Sequence, residues 1–228
     1  MGADFKQGPI ARSQQGAMDH LLRLGIDGFG PFQSAEEAAR GATANGRSTE
    51  QAIKALVRAH VAVAGAQGFV TNVGGLITLP VSMPANIGMG YLIQTHLAAS
   101  IARVHGHDLD SEEVRTAILL CLLGTAGTEV LKKTGIAVGS KYTMTLIGRI
   151  PIAVIRQINK RAGFALVAKY GTKRASITLA KGIPFVGGVI GGGFDATTTR
   201  AVGGFADRFF VDRLDAQPAG NQPPEPGQ

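Results

Sequence analysis

From Ala59 to Ala102 the chain runs for 44 residues without an Asp, Glu, Lys or Arg. A stretch of that length cannot be an ordinary solvated surface, and must pack against other protein or lie against lipid. It lacks the strict alternation of a half-buried strand, so helices are the expected elements. Pro80 and Pro84 each lack an amide donor and crowd the preceding turn. The spacing therefore predicts an apolar helical hairpin with a bend at 78–83, and a second helix restarting near Pro84 and running to about Val104. Its cleanest apolar segment, Ala85 to Ala102, is 18 residues long and contains Asn86, Gln94 and His96. That is near the lower limit for a membrane span, and it suits a buried core helix equally well.

A second asymmetry lies downstream. Residues 130–194 contain no acid and eleven bases: Lys132, Lys133, Lys141, Arg149, Arg156, Lys160, Arg161, Lys169, Lys173, Arg174 and Lys181. The net charge of +7 is thus concentrated in one segment. Arg149, Arg156 and Lys160 fall on one helical stripe, with Lys169, Lys173 and Arg174 thickening the patch. Such a block favours an anionic partner, either a lipid surface or nucleic acid. Few aromatics interleave the bases and no nucleic-acid-binding signature is present, so nucleic acid ranks second.

The remaining chain reads as helices too. Residues 1–16 form a polar lead-in, followed by a short helix from Gln15 to Leu24. Ser34 with Glu37, and Ser48 with Gln51, are capping-box signals, the first for a helix to about Ala44. The second helix is expected to turn Ala52, Ile53, Leu56, Val57 and Ala64 inward, with Lys54 and Arg58 on its wetter side. Asp110 with Glu113 opens a helix over 111–133, closed by Gly135, with acids at its start and Lys132 and Lys133 at its end. Further helices are expected at 140–149, at 151–170 with Pro151 in the first turn, at 174–181, and from about Pro184 to Arg213. Past Asp215 the Pro-rich tail has no apolar surface with which to fold. The expected organisation is a lead-in with short helices (1–44), one all-α domain (45–213) packed closely through glycines, and a disordered tail (214–228).

Three groups of residues resemble the EcsC family. They are Gly68-Phe69-Val70-Thr71 through Gly74-Gly75-Leu76-Ile77-Thr78-Leu79-Pro80-Val81, His107-Asp108-Leu109-Asp110 with Glu113-Val114-Arg115, and Pro184-Phe185-Val186-Gly187-Gly188 through Gly193-Phe194-Asp195 to Thr199-Arg200. The resemblance spans roughly residues 45–212. It implies a helical bacterial protein near membranes, the family being named after a gene cluster encoding an ABC transporter. It implies no catalytic residue set.

Among single positions, Gly188, Gly192, Asp195 and Thr199 share a face of the last helix, with Gly187 and Gly191 as an overlapping small-residue pair. A glycine face lets another helix come close and desolvates Asp195, with Thr199 and Arg200 as its nearest candidate supporters. A register-fixing buried carboxylate is the favoured reading over a functional acid. His96, Ser100, Arg103 and His107 share a stripe that is expected to mark the wetter side of their helix. His105, His107, Asp108 and Asp110 fit a polar loop better than a metal site. Gly135 to Tyr142 is one residue short of a phosphate loop, and no nucleophile elbow, His-Glu-x-x-His or paired-Cys site occurs. Cys121, alone in an apolar run, is expected to be a small buried hydrophobe.

No catalytic set, metal or cofactor is therefore expected. The N-terminus lacks an apolar leader and carries Lys6 where an acylation signal needs Ser or Thr, which points to the cytoplasm. The expected function is that of a non-catalytic accessory or interaction protein at the inner face of a bacterial membrane, with an anionic lipid surface and a transporter or other protein as partners. The alternative is a helical enzyme or carrier that holds a hydrophobic or anionic ligand in a core cavity around Asp195, with His96 as a second buried polar contact.

Overall fold

The computed structural model describes residues 9–73, 75–136, 144–179 and 186–211, with the backbone alone described for 9–15, 17–18, 71–73, 75–87, 167–179 and 186–191. Among the described residues the chain is all-α, with helices α1 (Pro9–Asp27), α2 (Ala35–Thr43), α3 (Thr49–Val73), α4 (Gly75–Val104), α5 (Glu112–Leu123), α6 (Ala126–Lys133), α7 (Met144–Ile147), α8 (Ile152–Leu179) and α9 (Val186–Phe210).

The helix starts follow from local chemistry. At α2, Ser34 Oγ accepts from the Glu37 amide while the Glu37 carboxylate accepts from the Ser34 amide, at 3.2 and 3.1 Å. At α3 the same reciprocity links Ser48 and Gln51, at 3.3 and 3.0 Å. Each box satisfies two amide donors that the first turn leaves without helical partners. The predicted box at Asp110 is not the cap. Ser111 caps α5 by accepting from the Val114 amide, and Asp110 is exposed and reaches Arg115 at 3.3 Å.

Four other expectations are corrected. The lead-in is partly helical, because α1 begins at Pro9 rather than Gln15. The helix expected over 111–133 is two helices, broken at Gly124, whose φ of 60° ends α5 with its amide bonded to the Leu120 and Cys121 carbonyls. The segments expected at 151–170 and 174–181 are one helix, α8. Most notably, the helix does not stop at 78–83 and restart near Pro84, and α4 runs continuously through Pro80 and Pro84. Standing four apart, the two prolines fall on one side of the helix and each removes one rung of the hydrogen-bond ladder, a loss of about 3 kcal/mol apiece in isolation. A 30-residue helix packed against several others can bear that where an isolated one could not. The tail from 212 onward and the glycine-containing segment 137–143 lie outside the described residues.

The core centres on three helices, and α3 and α9 make the most extensive contact. A Cβ at Gly192 would stand 2.7 Å from the Gly65 carbonyl oxygen, and one at Gly203 would stand 2.8 Å from Val57. Rising numbers on α3 meet falling numbers on α9, so the two are antiparallel. Gln94 meets Thr198 and Thr199, His105 meets Asp207 and His107 meets Phe210, so α4 and α9 run parallel. Helices α1 and α2 lie on α4, and α5 joins this group to α8. Leu22, Ile26, Ala35 and Ala42 of the first two helices belong to the same apolar core as Leu97, Leu120, Ile155 and Phe209.

Candidate functional site

Every side chain of α4 from Tyr91 to Ala102 is buried, including Gln94, Thr95, His96 and Ser100. The last twelve residues of the charge-free stretch are therefore protein core. The absence of charge there reflects contact with other helices on all sides, since an unpaired ion in that position would lose its hydration without compensation. The expectation that His96 and Ser100 mark a wetter side is overturned: His96 is 1 % exposed and Ser100 fully buried, and the partly open residues of that stripe begin at Arg103.

Polar groups in this core form two clusters. One surrounds Asp195, which is 3 % exposed, with Thr199 equally enclosed. The Gln94 side-chain amide donates to Thr198 and Thr199 hydroxyls at 3.3 and 3.4 Å, tying α4 to α9. The Thr198 hydroxyl also bonds back to the carbonyls of Phe194 and Asp195. Arg200, expected beside Asp195, is exposed instead. Five residues along a helix is about 140° of rotation, whereas the four residues to Thr199 bring it back to the same face. Gly192 confirms the expected close approach, one turn before Asp195. The side chains of Lys169, Lys173 and Arg174, and the surroundings of Gly187, Gly188 and Gly191, lie outside the described residues.

The second cluster is a pair of imidazoles. His60 Nε2 lies 2.8 Å from His96 Nδ1, joining α3 to α4 across 36 residues of sequence. His60 Nδ1 is 2.7 Å from the Leu56 carbonyl, and His96 Nε2 is 2.8 Å from the Gln33 carbonyl. Phe29 and Phe32, stacked on each other at 4.7 Å, close one side, with Phe32 5.3 Å from the His96 ring. Burial drives the His60 pKa down to about 4, opposed by the bond to the Leu56 carbonyl and reinforced by the facing His96. Burial lowers His96 as well, against the bond to Gln33. His60 was not singled out by sequence reasoning. The available signal was that His60 and His96 are the two imidazoles of the charge-free stretch.

The other two loop histidines are latches. His105 Nε2 meets Asp207 Oδ1 at 3.0 Å, and His107 Nε2 meets the Phe210 carbonyl at 2.8 Å, so both fasten the end of α9. Among the described residues no group of His, Cys, Asp and Glu is arranged to hold a metal ion. Cys121 is fully buried, and burial pushes its thiol well above the usual range.

On the basic segment, α8 buries Ile155, Ile158, Ala162 and Leu166 and turns Arg156 and Arg161 outward, with Lys160 half-buried and Arg149 exposed just before the helix. Ile152 and Phe164 share that outward arc, 45 % and 40 % exposed. Arg156 approaches Glu112 of α5 at 3.8 Å, with both side chains well exposed. On α3, Ala59, Ala62, Val63, Ala66 and Val70 are exposed and fall on one stripe, and Val70 is 72 % exposed.

These features define a class: an all-α protein whose central helices meet through glycine and whose core carries buried polar side chains. The chain belongs to the EcsC protein family, whose model matches residues 33–214. That match takes in α2 through α9. No curated protein matches the chain, and no solved structure does.

Proposed function

We propose that the protein is a non-catalytic accessory or interaction protein that docks on the anionic inner face of a bacterial membrane. The observation that carries this reading is the outward arc of α8, where Ile152 and Phe164 stand exposed among Arg156, Lys160 and Arg161, with Arg149 at its start. Cations near a negatively charged leaflet contribute about 1 kcal/mol each, and a large apolar side chain beside them adds the burial of its surface at the acyl boundary. The exposed, uncharged stripe of α3 supports the same reading, because solvent alone gives no reason for five apolar residues to share an outer face. Among the described residues no helix is long and apolar enough to cross a membrane, so the proposal is docking at the surface.

The test is flotation with neutral or anionic liposomes at low and high salt. The native chain is expected to float on anionic vesicles in low salt and to be released by high salt. Replacing Arg149, Arg156, Lys160 and Arg161 by Gln should weaken partitioning by about a hundredfold or more, at one cation's worth per substitution. Absence of flotation under every condition would refute the docking reading and move the buried cluster at Asp195 to first place, as a ligand site.

A further inference from the structure

The two buried imidazoles make three short contacts, which cannot all be hydrogen bonds while both rings are neutral. Leu56 and Gln33 offer carbonyl oxygens, which only accept, so His60 Nδ1 and His96 Nε2 must each carry a hydrogen. A neutral imidazole has one hydrogen. His60 Nε2 and His96 Nδ1 would then both be bare, with two lone pairs facing each other at 2.8 Å. The ring centroids are 5.1 Å apart, which matches the N···N distance plus the two ring radii, and the planes differ by 28°. The rings therefore meet edge to edge along the lone-pair axis, which is the geometry of a hydrogen bond and not of a face stack.

We propose that His60 and His96 form a proton-binding site that takes up one proton for the two rings, and that this proton clamps the 28–33 turn to α3 and α4. The added proton sits between His60 Nε2 and His96 Nδ1, so an imidazole and an imidazolium share one positive charge. All three contacts become hydrogen bonds, and both outer N–H groups point at carbonyl dipoles. The chain then runs from the Leu56 carbonyl through both rings to the Gln33 carbonyl, one residue before the Ser34 cap of α2.

Two forces compete over this proton. Burial beneath Phe29 and Phe32 disfavours any charge on the rings. Against it stands the contact between two lone pairs that the neutral pair would keep. A second proton meets both burial and the charge already present, which accords with His60 being held down to about 4. The charged groups on the surrounding elements are otherwise engaged or exposed. On α2, Glu36 pairs with Arg103 of α4 and Arg40, and Glu37 with Ser34. Arg23 and Asp27 of α1, Arg58 of α3 and Arg200 of α9 are exposed, and Asp195 belongs to the separate cluster with Gln94 and Thr199. Among the described residues none of these charged groups is bonded to either ring.

The test is a titration of the histidine ring nitrogens of the full chain by nitrogen NMR, from about pH 8 to about pH 4.5. His60 Nδ1 and His96 Nε2 are expected to stay protonated throughout, while His60 Nε2 and His96 Nδ1 change together as one proton enters the pair. Two independent protonations, no uptake before the fold is lost, or a proton already fixed on His60 Nε2 or His96 Nδ1 at the alkaline end would each overturn the proposal. Amide exchange at residues 28–34, corrected for its intrinsic pH dependence, should slow several-fold between about pH 7.5 and about pH 5.5 in the native chain and not in His60→Gln. Equal protection at both values in the native chain would overturn the clamp. Should His60→Gln fail to fold, the two native-chain measurements decide on their own.

Discussion

Two long helices, α4 of 30 residues and α8 of 28, are used in opposite ways. Between Tyr91 and Ala102, α4 buries every side chain, polar ones included, whereas α8 between Ile152 and Leu166 buries about one residue per turn and turns arginines outward. Neither has a strong contrast between faces, so amphipathicity alone does not separate them. What separates them is the kind of charge that is missing. From Gly75 to Ala102 of α4 all charge is absent, and the helix is wrapped by α1, α2, α3, α5 and α9. In α8 only acids are absent, and one face remains in solvent.

Substitutions in the two helices should have very different effects. The largest loss is expected in α4, where Leu97→Ala should cost about 2–5 kcal/mol in chemical or thermal unfolding, because a fully buried leucine leaves a cavity that its neighbours fill incompletely. Acid should follow. Below about pH 6.5 the unfolded chain protonates both imidazoles, while the folded pair resists its second proton until His60 titrates at about 4. The contribution of His60 is thus full above the unfolded value and falls by about 3 kcal/mol as the pH drops through that window. Unfolding curves at several pH values check this, and a flat profile between those limits would contradict the burial of the pair.

Smaller effects sharpen the picture. Gly192→Ala should cost about 1–3 kcal/mol, since the new methyl group meets the Gly65 backbone and the two helices must separate. Gly193→Ala, with open space around it, should cost nothing by that route and serves as the control. Smallest of all, Arg156→Gln with Arg161→Gln should change stability by no more than about 0.5 kcal/mol, because both side chains are solvated. A large loss there would mean that α8 is held by its charges and not by Ile155, Ile158 and Leu166.

Much of this architecture was legible in the chain. The boxes at Ser34 and Ser48, the inward row Ala52, Ile53, Leu56 and Ala64, the buried Cys121 and the glycine contact at Gly192 all follow from local rules. The continuity of α4 through two prolines did not, because local rules describe a helix in solvent and α4 is supported by neighbours. Gly124 was missed because its positive φ is a property of the turn between α5 and α6, and nothing in its neighbours demands a stop. At the candidate site, the burial of Asp195 and Thr199 was readable from helical spacing. His96 was misplaced because a histidine at four- and three-residue steps from Ser100 and Arg103 looks like part of a wet stripe. Its partner His60 lies 36 residues away, beyond any helical period.

The glycine contact between α3 and α9 joins Gly65 to Gly192, 127 residues later in the chain. At roughly 5–20 residues per second, a ribosome takes on the order of ten seconds to synthesise that interval. Through all of it the inner face of α3 is without the helix that covers it most. The domain is therefore assembled from its two ends, and its final cooperative step waits for nearly the last helix to emerge. A nascent chain halted before Val186 should remain open to protease along α3, and one released after Phe210 should not.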